Sequence, residues 1–160
     1  MSKTSVVFVC MGNICRSPTA HGVFLNLVEK EGLRDIITVD SAGTHAYHIS
    51  EPPDPRSQQA ALRREVDLSP LRARKVVEND FHDFDYVIAM DNSNYRHLLE
   101  IAPQGQEDRL QLFMDYAPKM KESEVPDPYY GGKNGFEYVL DLIEEASAGL
   151  LEEIKKRQGL

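Results

Sequence analysis

Apolar residues along the chain alternate between short continuous runs and longer segments with helical spacing. Residues 5–9 form a β-branched and aromatic run with no polar alternation, which predicts a strand buried on both faces of a parallel sheet. Similar runs predict strands at 36–39, continuing into 40–43, and at 86–90. A shorter run at 110–113 predicts a fourth strand.

Helices are predicted between these strands. The first begins at Ser17-Pro18, where a capping side chain precedes a first-turn proline. A second covers about residues 56–64, and a third follows the capping residue Asp91. In the final segment, 136–154, apolar positions recur at helical spacing and predict a long terminal helix.

Strands that alternate with helices indicate an α/β fold with right-handed crossovers. We expect a three-layer, doubly wound, four-stranded parallel sheet with helices on both faces. In such sheets, ligands bind at the carboxyl ends of the strands, near the point where the strand order reverses. Cys10, Ser41 and Asp91 each lie at the end of a predicted strand. The fold alone therefore predicts that these three residues gather at one edge of the sheet.

The length and net charge of the chain indicate a single domain and disfavour some classes of binding partner. At 160 residues and 18.1 kDa the chain has the size of one domain, so we treat residues 1–160 as a single domain. The 26 acidic and 18 basic residues give a net charge of -8, which disfavours nucleic acid and anionic membranes as partners. No apolar run is long enough to span a membrane and no targeting segment opens the chain, so we expect a cytoplasmic protein. The sequence leaves the oligomeric state open, and we favour a monomer.

The two cysteines, Cys10 and Cys15, lie five positions apart in one segment. Two cysteines are too few for a disulfide framework, and no second cysteine pair or histidine pair accompanies them at zinc-finger spacing. We therefore expect no metal site, and we expect the thiols to serve chemistry rather than structure.

The segment between the first strand and the first helix has the features of an anion-binding loop. Its sequence, residues 10–17, is CMGNICRS, and we call it the anion loop. The central Gly-Asn tolerates left-handed backbone angles, and N–H groups at a helix N-terminus converge on an anion. The segment lacks the Gly-Lys-Ser/Thr ending of a nucleotide loop and the glycine triplet of a dinucleotide site, so we expect no cofactor. The residues expected to bind the phosphate of a substrate are Met11, Gly12, Asn13, Ile14, Cys15 and Ser17.

The anion loop carries a thiol at its first position, Cys10, and a guanidinium at its seventh, Arg16. Arginine forms a fork that holds two phosphate oxygens, and a helix N-terminus favours the thiolate form of cysteine. The Cys-Arg spacing alone is weak evidence for an anion loop. The buried strand before it and the Ser-Pro helix start after it are independent requirements of such a loop, and the sequence meets both. Together these features resemble the low-molecular-weight protein tyrosine phosphatases, whose signature is Cys-x5-Arg-Ser on the first strand-loop-helix.

This resemblance implies a phosphocysteine mechanism without metal or cofactor. Cys10 is then the nucleophile, Arg16 stabilises the transition state, and Asp127 is the general acid and base. Asp127 lies between two prolines, in a late Asp-Pro-aromatic segment of the kind that carries the acid in this family. Asp-Pro is also common in plain turns, so this motif alone is ambiguous.

The same resemblance assigns supporting roles. Asn13 fixes the left-handed turn of the loop, with Ser41 as its hydrogen-bonding partner. Ser17 steadies the thiolate, and a second role as a helix cap is fully compatible with this one. Asp91 orients Arg16, although a helix cap is an equally good local explanation.

An aryl phosphate substrate requires an aromatic entrance, because stacking holds the ring in a deep slot. By the resemblance, Tyr47, Tyr129 and Tyr130 form this entrance. His48, beside Tyr47, either joins the wall or is an ordinary surface histidine. At Leu71 many family members carry a histidine, so the hydrogen bonds behind the loop are expected to differ in this chain.

Protein tyrosine phosphatase is the predicted activity, with phosphotyrosine-containing proteins as substrates. In bacterial relatives the partner is often a tyrosine autokinase, which the resemblance allows. An arsenate reductase on this fold would need an external thiol, because the chain has no cysteine after Cys15. Protein-arginine phosphatases resemble one another in having threonine where this chain has Ile14, which favours a phenolic phosphate. A phosphate-binding module without turnover would leave the thiol unexplained.

Overall fold

Four parallel strands form the centre of the computed structural model, which describes residues 3–128 and 135–160. The strands are β1 (Thr4–Cys10), β2 (Ile37–Gly43), β3 (Tyr86–Ala89) and β4 (Leu110–Leu112). Their order in the sheet is β2-β1-β3-β4, and each neighbouring pair is parallel. The predicted doubly wound parallel sheet is therefore confirmed.

Helices alternate with these strands. In the described part of the chain they are α1 (Arg16–Lys30), α2 (Pro55–Leu62), α3 (Asp80–Asp83), α4 (Asn92–Ile101) and α5 (Gly135–Gln158). The short helix α3 was not predicted, because four residues are too few to establish a helical repeat of apolar positions. None of the helices described here is long and apolar enough to cross a membrane.

Strand β1 lies between two strands and between two apolar layers. On one face, the Phe8 ring packs against the rings of Phe24 in α1 and Phe113, with centroids 5.6 and 5.1 Å apart. On the opposite face, Val7 belongs to a second apolar cluster that includes Leu98 of α4. Burial on both faces explains why the sequence of β1 has no polar alternation.

The N-termini of α1 and α4 lie at the edge of the sheet where the predicted site residues gather, and their capping residues differ from each other. Helix α1 begins at Arg16, and Cys15 occupies the cap position without a side-chain cap hydrogen bond. The prediction that Ser17 caps this helix is therefore wrong, since Ser17 is already the second helical residue. At α4 the predicted cap is confirmed, because Asp91 Oδ1 accepts a hydrogen bond from the backbone N of Asn94 at 2.8 Å.

The strand order reverses between β1 and β3, because the chain passes from β1 to β2 on one side and enters β3 on the other. The anion loop follows β1, and Asp91 follows β3, so both lie where doubly wound sheets bind ligands. The segment after β2 reaches the same edge, since the backbone N of Thr44 donates to the carbonyl of Cys10 at 2.9 Å.

Candidate active site

The anion loop turns through Asn13, whose φ of 57° lies in the left-handed region. The buried Asn13 amide holds this turn from both of its ends: Nδ2 donates to Ser17 Oγ at 2.7 Å, and Oδ1 accepts from the backbone N of Arg74 at 3.1 Å. Gly43 lets β2 approach the loop closely, because a Cβ there would lie 2.8 Å from the carbonyl oxygen of Met11. The loop conformation is thus fixed by its own amide and by two neighbouring segments.

The Cys10 sulfur lies at the base of the loop and is almost fully buried. Its Sγ is 3.0 Å from Ser17 Oγ, and it accepts a hydrogen bond from the backbone N of Asn13 at 3.3 Å. Ser17 Oγ accepts from the Asn13 amide, and its single hydroxyl hydrogen has two acceptors within reach, Cys10 Sγ at 3.0 Å and the carbonyl oxygen of Ala42 at 3.3 Å. The predicted contact between Ser17 and the thiol is present, and its geometry suits a thiolate acceptor.

The Arg16 guanidinium is buried beside this sulfur. Its Nη1 donates to Asp91 Oδ2 at 2.6 Å and to the carbonyl oxygen of Val125 at 3.0 Å. Burial opposes the charge, but the negative charges of Cys10 and Asp91 outweigh burial and raise the pKa of Arg16 above its usual value. Both hydrogen bonds of Arg16 to described residues use Nη1, so Nε and Nη2 remain to donate to an oxyanion.

A cavity of about 520 Å³ opens above the sulfur. Its lining contains most of the predicted site residues and adds Asp54, which sequence reasoning missed. The lining residues are Cys10, Met11, Gly12, Ile14, Cys15, Arg16, Tyr47, His48, Asp54 and Asp127. Asn13 and Ser17 support the loop from behind, and the predicted wall residues Tyr129 and Tyr130 lie outside the described residues.

Asp127 reaches the cavity from the segment before α5. This segment is attached to the sheet edge through Val125, whose backbone N donates to the carbonyl of Met90 at 2.8 Å and whose carbonyl accepts from Arg16. The negative charge of Asp127 is among the influences that raise the pKa values of Arg16 and Cys15. A carboxyl group, a guanidinium and a thiol therefore share one cavity.

Cys15 differs from Cys10 in its electrostatic surroundings. Burial, with a smaller contribution from the negative charge of Asp54, raises the pKa of the Cys15 thiol to about 12, although a hydrogen bond with Ser57 opposes this. Cys15 is therefore a neutral thiol at physiological pH, and only Cys10 of the two has the thiolate contacts described above.

Asp54 lies at the cavity rim as the cap of α2. Although burial opposes it, hydrogen bonds from the Arg56 side chain and backbone lower the pKa of Asp54, so the group is a carboxylate. Its backbone N also donates to the carbonyl of Ile14 at 2.8 Å, which joins α2 to the anion loop. The sequence signal was an aspartate directly before a helix-starting proline, which identifies a cap but not a cavity residue.

The predicted hydrogen bond between Asn13 and Ser41 is wrong. Both polar ends of the Asn13 amide are occupied by Ser17 and Arg74, while Ser41 Oγ lies 3.0 Å from Nδ1 of the buried His21 in α1. Burial lowers the pKa of His21, which favours its neutral form in this contact. Ser41 therefore supports the site from the α1 side rather than from the loop.

Leu71 lies where the resemblance led us to expect different hydrogen bonds behind the loop, and its side chain packs against the apolar core. The Arg74 backbone provides the hydrogen bond to Asn13, and the Arg74 guanidinium is fixed by Asp40 and Asp80, each at 3.1 Å. Sequence reasoning missed the role of Arg74, because a backbone donor leaves no signal in residue type.

A strand, an anion loop and a helix N-terminus that present a cysteine and an arginine to one cavity define a cysteine-based phosphatase site. The comparisons with known proteins agree with this class. The family model described as low molecular weight phosphotyrosine protein phosphatase matches residues 5–159. The chain belongs to this family, and it is an enzyme of the phosphatase class.

Individual relatives also match most of the chain. A low molecular weight phosphotyrosine protein phosphatase of Schizosaccharomyces pombe is 47% identical over 132 residues, which are 82% of this chain and 84% of that protein. A protein tyrosine phosphatase from Entamoeba histolytica, crystallised with Hepes in the active site, has a TM-score of 0.91 and 39% identity, covering 98% of this chain and 99% of its own. The crystal structure of a drosophila arginine phosphatase has a TM-score of 0.86 and 33% identity, covering 94% and 97%.

Proposed function

We propose that this enzyme hydrolyses phosphotyrosine in proteins through a phosphocysteine intermediate. The observation that carries the proposal is the convergence of Cys10, Arg16 and Asp127 on one cavity above the anion loop. These three groups supply the nucleophile, the stabilising cation and the proton donor that a covalent phosphatase requires.

In the first step, the Cys10 thiolate attacks phosphorus in line with the phenolic oxygen. The S–P bond forms while the P–O bond to the tyrosine ring breaks, and Asp127 gives its proton to the departing oxygen. Arg16 and the backbone N–H groups of the anion loop hold the equatorial oxygens during the transfer. The ion pair with Asp91 keeps the guanidinium in a single orientation.

In the second step, water attacks phosphorus and the S–P bond breaks. Asp127, now ionised, accepts the proton of the attacking water, so the carboxylic acid is restored. The released thiolate of Cys10 accepts hydrogen bonds from the Ser17 hydroxyl and from the backbone N of Asn13. Inorganic phosphate leaves, and the enzyme returns to its starting state without metal or cofactor.

An aryl substrate fits the chemistry of the entrance. Tyr47 forms one aromatic wall, and the apolar side chain of Ile14 lies inside the same cavity. Tyr129 and Tyr130 belong to this proposal as further wall residues. The similarity to an arginine phosphatase makes phosphoarginine the necessary comparison substrate, and Ile14 favours the phenolic ester over a guanidinium phosphate.

The partner that follows from this substrate is a phosphotyrosine-containing protein, and a tyrosine autokinase is one such protein. We place the enzyme in the cytoplasm, since Cys10 and Cys15 are free thiols and a reducing compartment keeps them so. We further propose that it acts as a monomer of one domain, because all groups named in the two steps come from one chain.

Replacement of Cys10 tests the mechanism directly. Cys10→Ser is expected to lower kcat by roughly 10⁴-fold or more while inorganic phosphate still binds, because the loop amides and Arg16 remain. The assay compares phosphotyrosine, p-nitrophenyl phosphate, phosphoarginine and phosphoserine in excess EDTA, with phosphate binding measured by calorimetry. Cys15→Ser serves as the matched control, since it removes a thiol without removing the proposed nucleophile.

Retained turnover in Cys10→Ser would refute the covalent mechanism. A preference of the unaltered enzyme for phosphoarginine would overturn the substrate assignment while leaving the two steps intact. If none of the four phosphates is hydrolysed by folded, reduced protein, the proposed function is wrong, and a binding module or an externally coupled arsenate reductase becomes the better explanation.

A further inference from the structure

The chain beyond β2 forms one rim of the active-site cavity and carries several rings in succession. Backbone hydrogen bonds keep this rim against the anion loop: Thr44 N donates to the carbonyl of Cys10 at 2.9 Å, and His45 N donates to the carbonyl of Met11 at 3.0 Å. The pairing of β1 with β2 is thereby extended past the sheet. Side chains on this rim are placed with respect to the nucleophile by the backbone itself.

His45 is held between two other rings. Its imidazole stacks on the Tyr47 ring at a centroid distance of 5.1 Å and an interplanar angle of 13°. The His97 ring of α4 meets it edge-on, with centroids 5.1 Å apart and planes at 72°. A hydrogen bond of 2.8 Å joins His45 Nδ1 to Thr44 Oγ1, and His97 Nδ1 lies 2.9 Å from the carbonyl oxygen of Ser93. His97 of α4 therefore contacts the rim at His45 and supports the stack of His45 on Tyr47.

Tyr47 depends on this support for its orientation. It lines the cavity, yet the residue is 67% exposed. Its described ring contacts are the stack on His45 and a more distant edge contact with His48, at 6.5 Å. An exposed tyrosine without such a stack would exchange between rotamers, and ordering it on substrate binding would cost conformational entropy.

We propose that His45, braced by His97, is a positioning residue that fixes the Tyr47 ring at the cavity mouth for the aryl group of the substrate. The proposal rests on the proposed function, because it assigns Tyr47 to the substrate wall. His45 is not among the residues that line the cavity, so it acts through Tyr47. Its influence belongs to substrate affinity rather than to P–O bond cleavage at Cys10.

The test separates aryl recognition from phosphate recognition. KM and kcat are measured with a phosphotyrosine peptide, and Ki is measured for inorganic phosphate, which occupies the anion loop without touching the wall. His45→Ala is expected to raise KM about three- to tenfold, the range of an aromatic pair, with kcat and the phosphate Ki within about twofold of the unaltered enzyme. His97→Ala is expected to raise KM in the same direction by a smaller factor.

Two further variants exclude a general structural effect. His45→Phe retains an aromatic face for Tyr47 and is expected to restore KM to within about twofold. In a Tyr47→Ala background, His45→Ala is expected to have no additional effect on KM, because the ring that it positions is gone. His82→Ala removes an exposed histidine from α3 and is the matched control for loss of an imidazole.

An unchanged KM in His45→Ala, or an equal rise in the Tyr47→Ala background, would overturn the inference. A parallel rise in the Ki of phosphate would also overturn it, because the loop rather than the wall would then be disturbed. If His45→Ala fails to fold, the comparison of His97→Ala with and without Tyr47 decides the question. Failure of the unaltered enzyme to hydrolyse aryl phosphates would refute the proposed function itself, and this inference with it.

Discussion

Asn13 combines a backbone role with a side-chain role that substitution can separate. Its φ of 57° suits glycine, whereas its amide hydrogen bonds can be made by neither glycine nor alanine. Asn13→Gly and Asn13→Ala are therefore both expected to lower kcat, by about tenfold or more, because Ser17 loses the amide group that donates to its hydroxyl oxygen. Asn13→Ala is expected to lower the free energy of unfolding by about 1 kcal/mol more than Asn13→Gly, because alanine is strained in this region. Urea unfolding and steady-state kinetics of the pair measure both effects, and equal stabilities would refute the backbone role.

The proton supplied by Asp127 matters most when the leaving phenol is weakly acidic. Asp127→Asn is expected to lower the rate of phenol release from phosphotyrosine by about 10²- to 10³-fold. The defect should shrink for phenols that leave readily without a proton. Single-turnover rates for a series of substituted phenyl phosphates should therefore depend more steeply on the pKa of the phenol in the variant. Asp108→Asn, at an exposed position in the short segment directly before β4 and outside the cavity lining, is the control, and identical slopes would remove Asp127 from the role of acid.

Spacing, context and the family resemblance together identified Cys10 as the proposed nucleophile and Arg16 as its cation, but they did not identify all of the neighbouring groups. Serine and aspartate serve equally as helix caps and as site groups, so the local sequence leaves the two roles open. The structure resolves them differently: Asp91 does both, Ser17 contacts the thiol but does not cap α1, and the capping Asp54 also lines the cavity. These outcomes depend on the residue at which α1 begins and on which segment packs against the anion loop. Neither can be predicted from the few residues around each side chain.

The Asp91 carboxylate both caps helix α4 and pairs with Arg16 of α1. Substitutions can therefore separate what the cap and the ion pair each contribute to stability and activity. Asp91 accepts from Asn94 N with Oδ1 and from Arg16 with Oδ2. Asp91→Asn keeps an oxygen for the cap but leaves the buried Arg16 without its charge partner, which is expected to lower the free energy of unfolding by about 2 kcal/mol and kcat/KM by about tenfold or more. Asp91→Ala is expected to lose about 1 kcal/mol more with the cap. Urea unfolding measures the loss of stability, and steady-state kinetics measure the loss of kcat/KM.

Asn94→Ala is the matched control for the α4 cap. It removes the Asn94 Oδ1 that accepts from the backbone N of Asp91 at 3.2 Å, while Asp91 and Arg16 remain. This variant should lose stability but keep kcat/KM close to that of the unaltered enzyme. Normal kinetics in Asp91→Asn would show that the ion pair does not orient the arginine.

Elements with strong apolar patterns were predicted best. The run in β1 has no polar alternation because apolar clusters cover both faces, and the long repeat in α5 follows from its buried stripe. The four-residue α3 gave no such signal, yet it provides Asp80, which helps to fix Arg74 behind the anion loop. Short polar elements that position a site are therefore the part of this fold that periodicity cannot predict.

At the scale of the whole molecule, topology explains why separated segments form one site. Residues at the ends of β1 and β3 meet because the strand order reverses between them, and this was predictable from the alternation of strands and helices. The contact of Ser41 with His21 was not predictable in this way, since it depends on which face of β2 meets α1. The assignment of residues 1–160 to one domain remains a prediction.

The buried His21 should make the stability of the whole protein depend on pH. Burial lowers its pKa from the usual value of 6.5, with Arg34 and Arg74 acting in the same direction and Asp40 against them. Below about pH 6.5 the unfolded chain therefore binds a proton that the folded protein resists, so the free energy of unfolding falls as pH decreases. For this group the slope stays below the one-proton limit of about 1.4 kcal/mol per pH unit, and it disappears above the unfolded-state pKa.

Urea unfolding from about pH 5 to about pH 7.5 measures this dependence. His21→Asn, which keeps a polar group near Ser41 but cannot take up the proton, should show a shallower fall of stability below pH 6.5, whatever its stability at neutral pH. His82→Asn replaces an exposed histidine of α3 and should retain the slope of the unaltered protein. Parallel curves for His21→Asn and the unaltered protein would mean that folding does not keep His21 neutral.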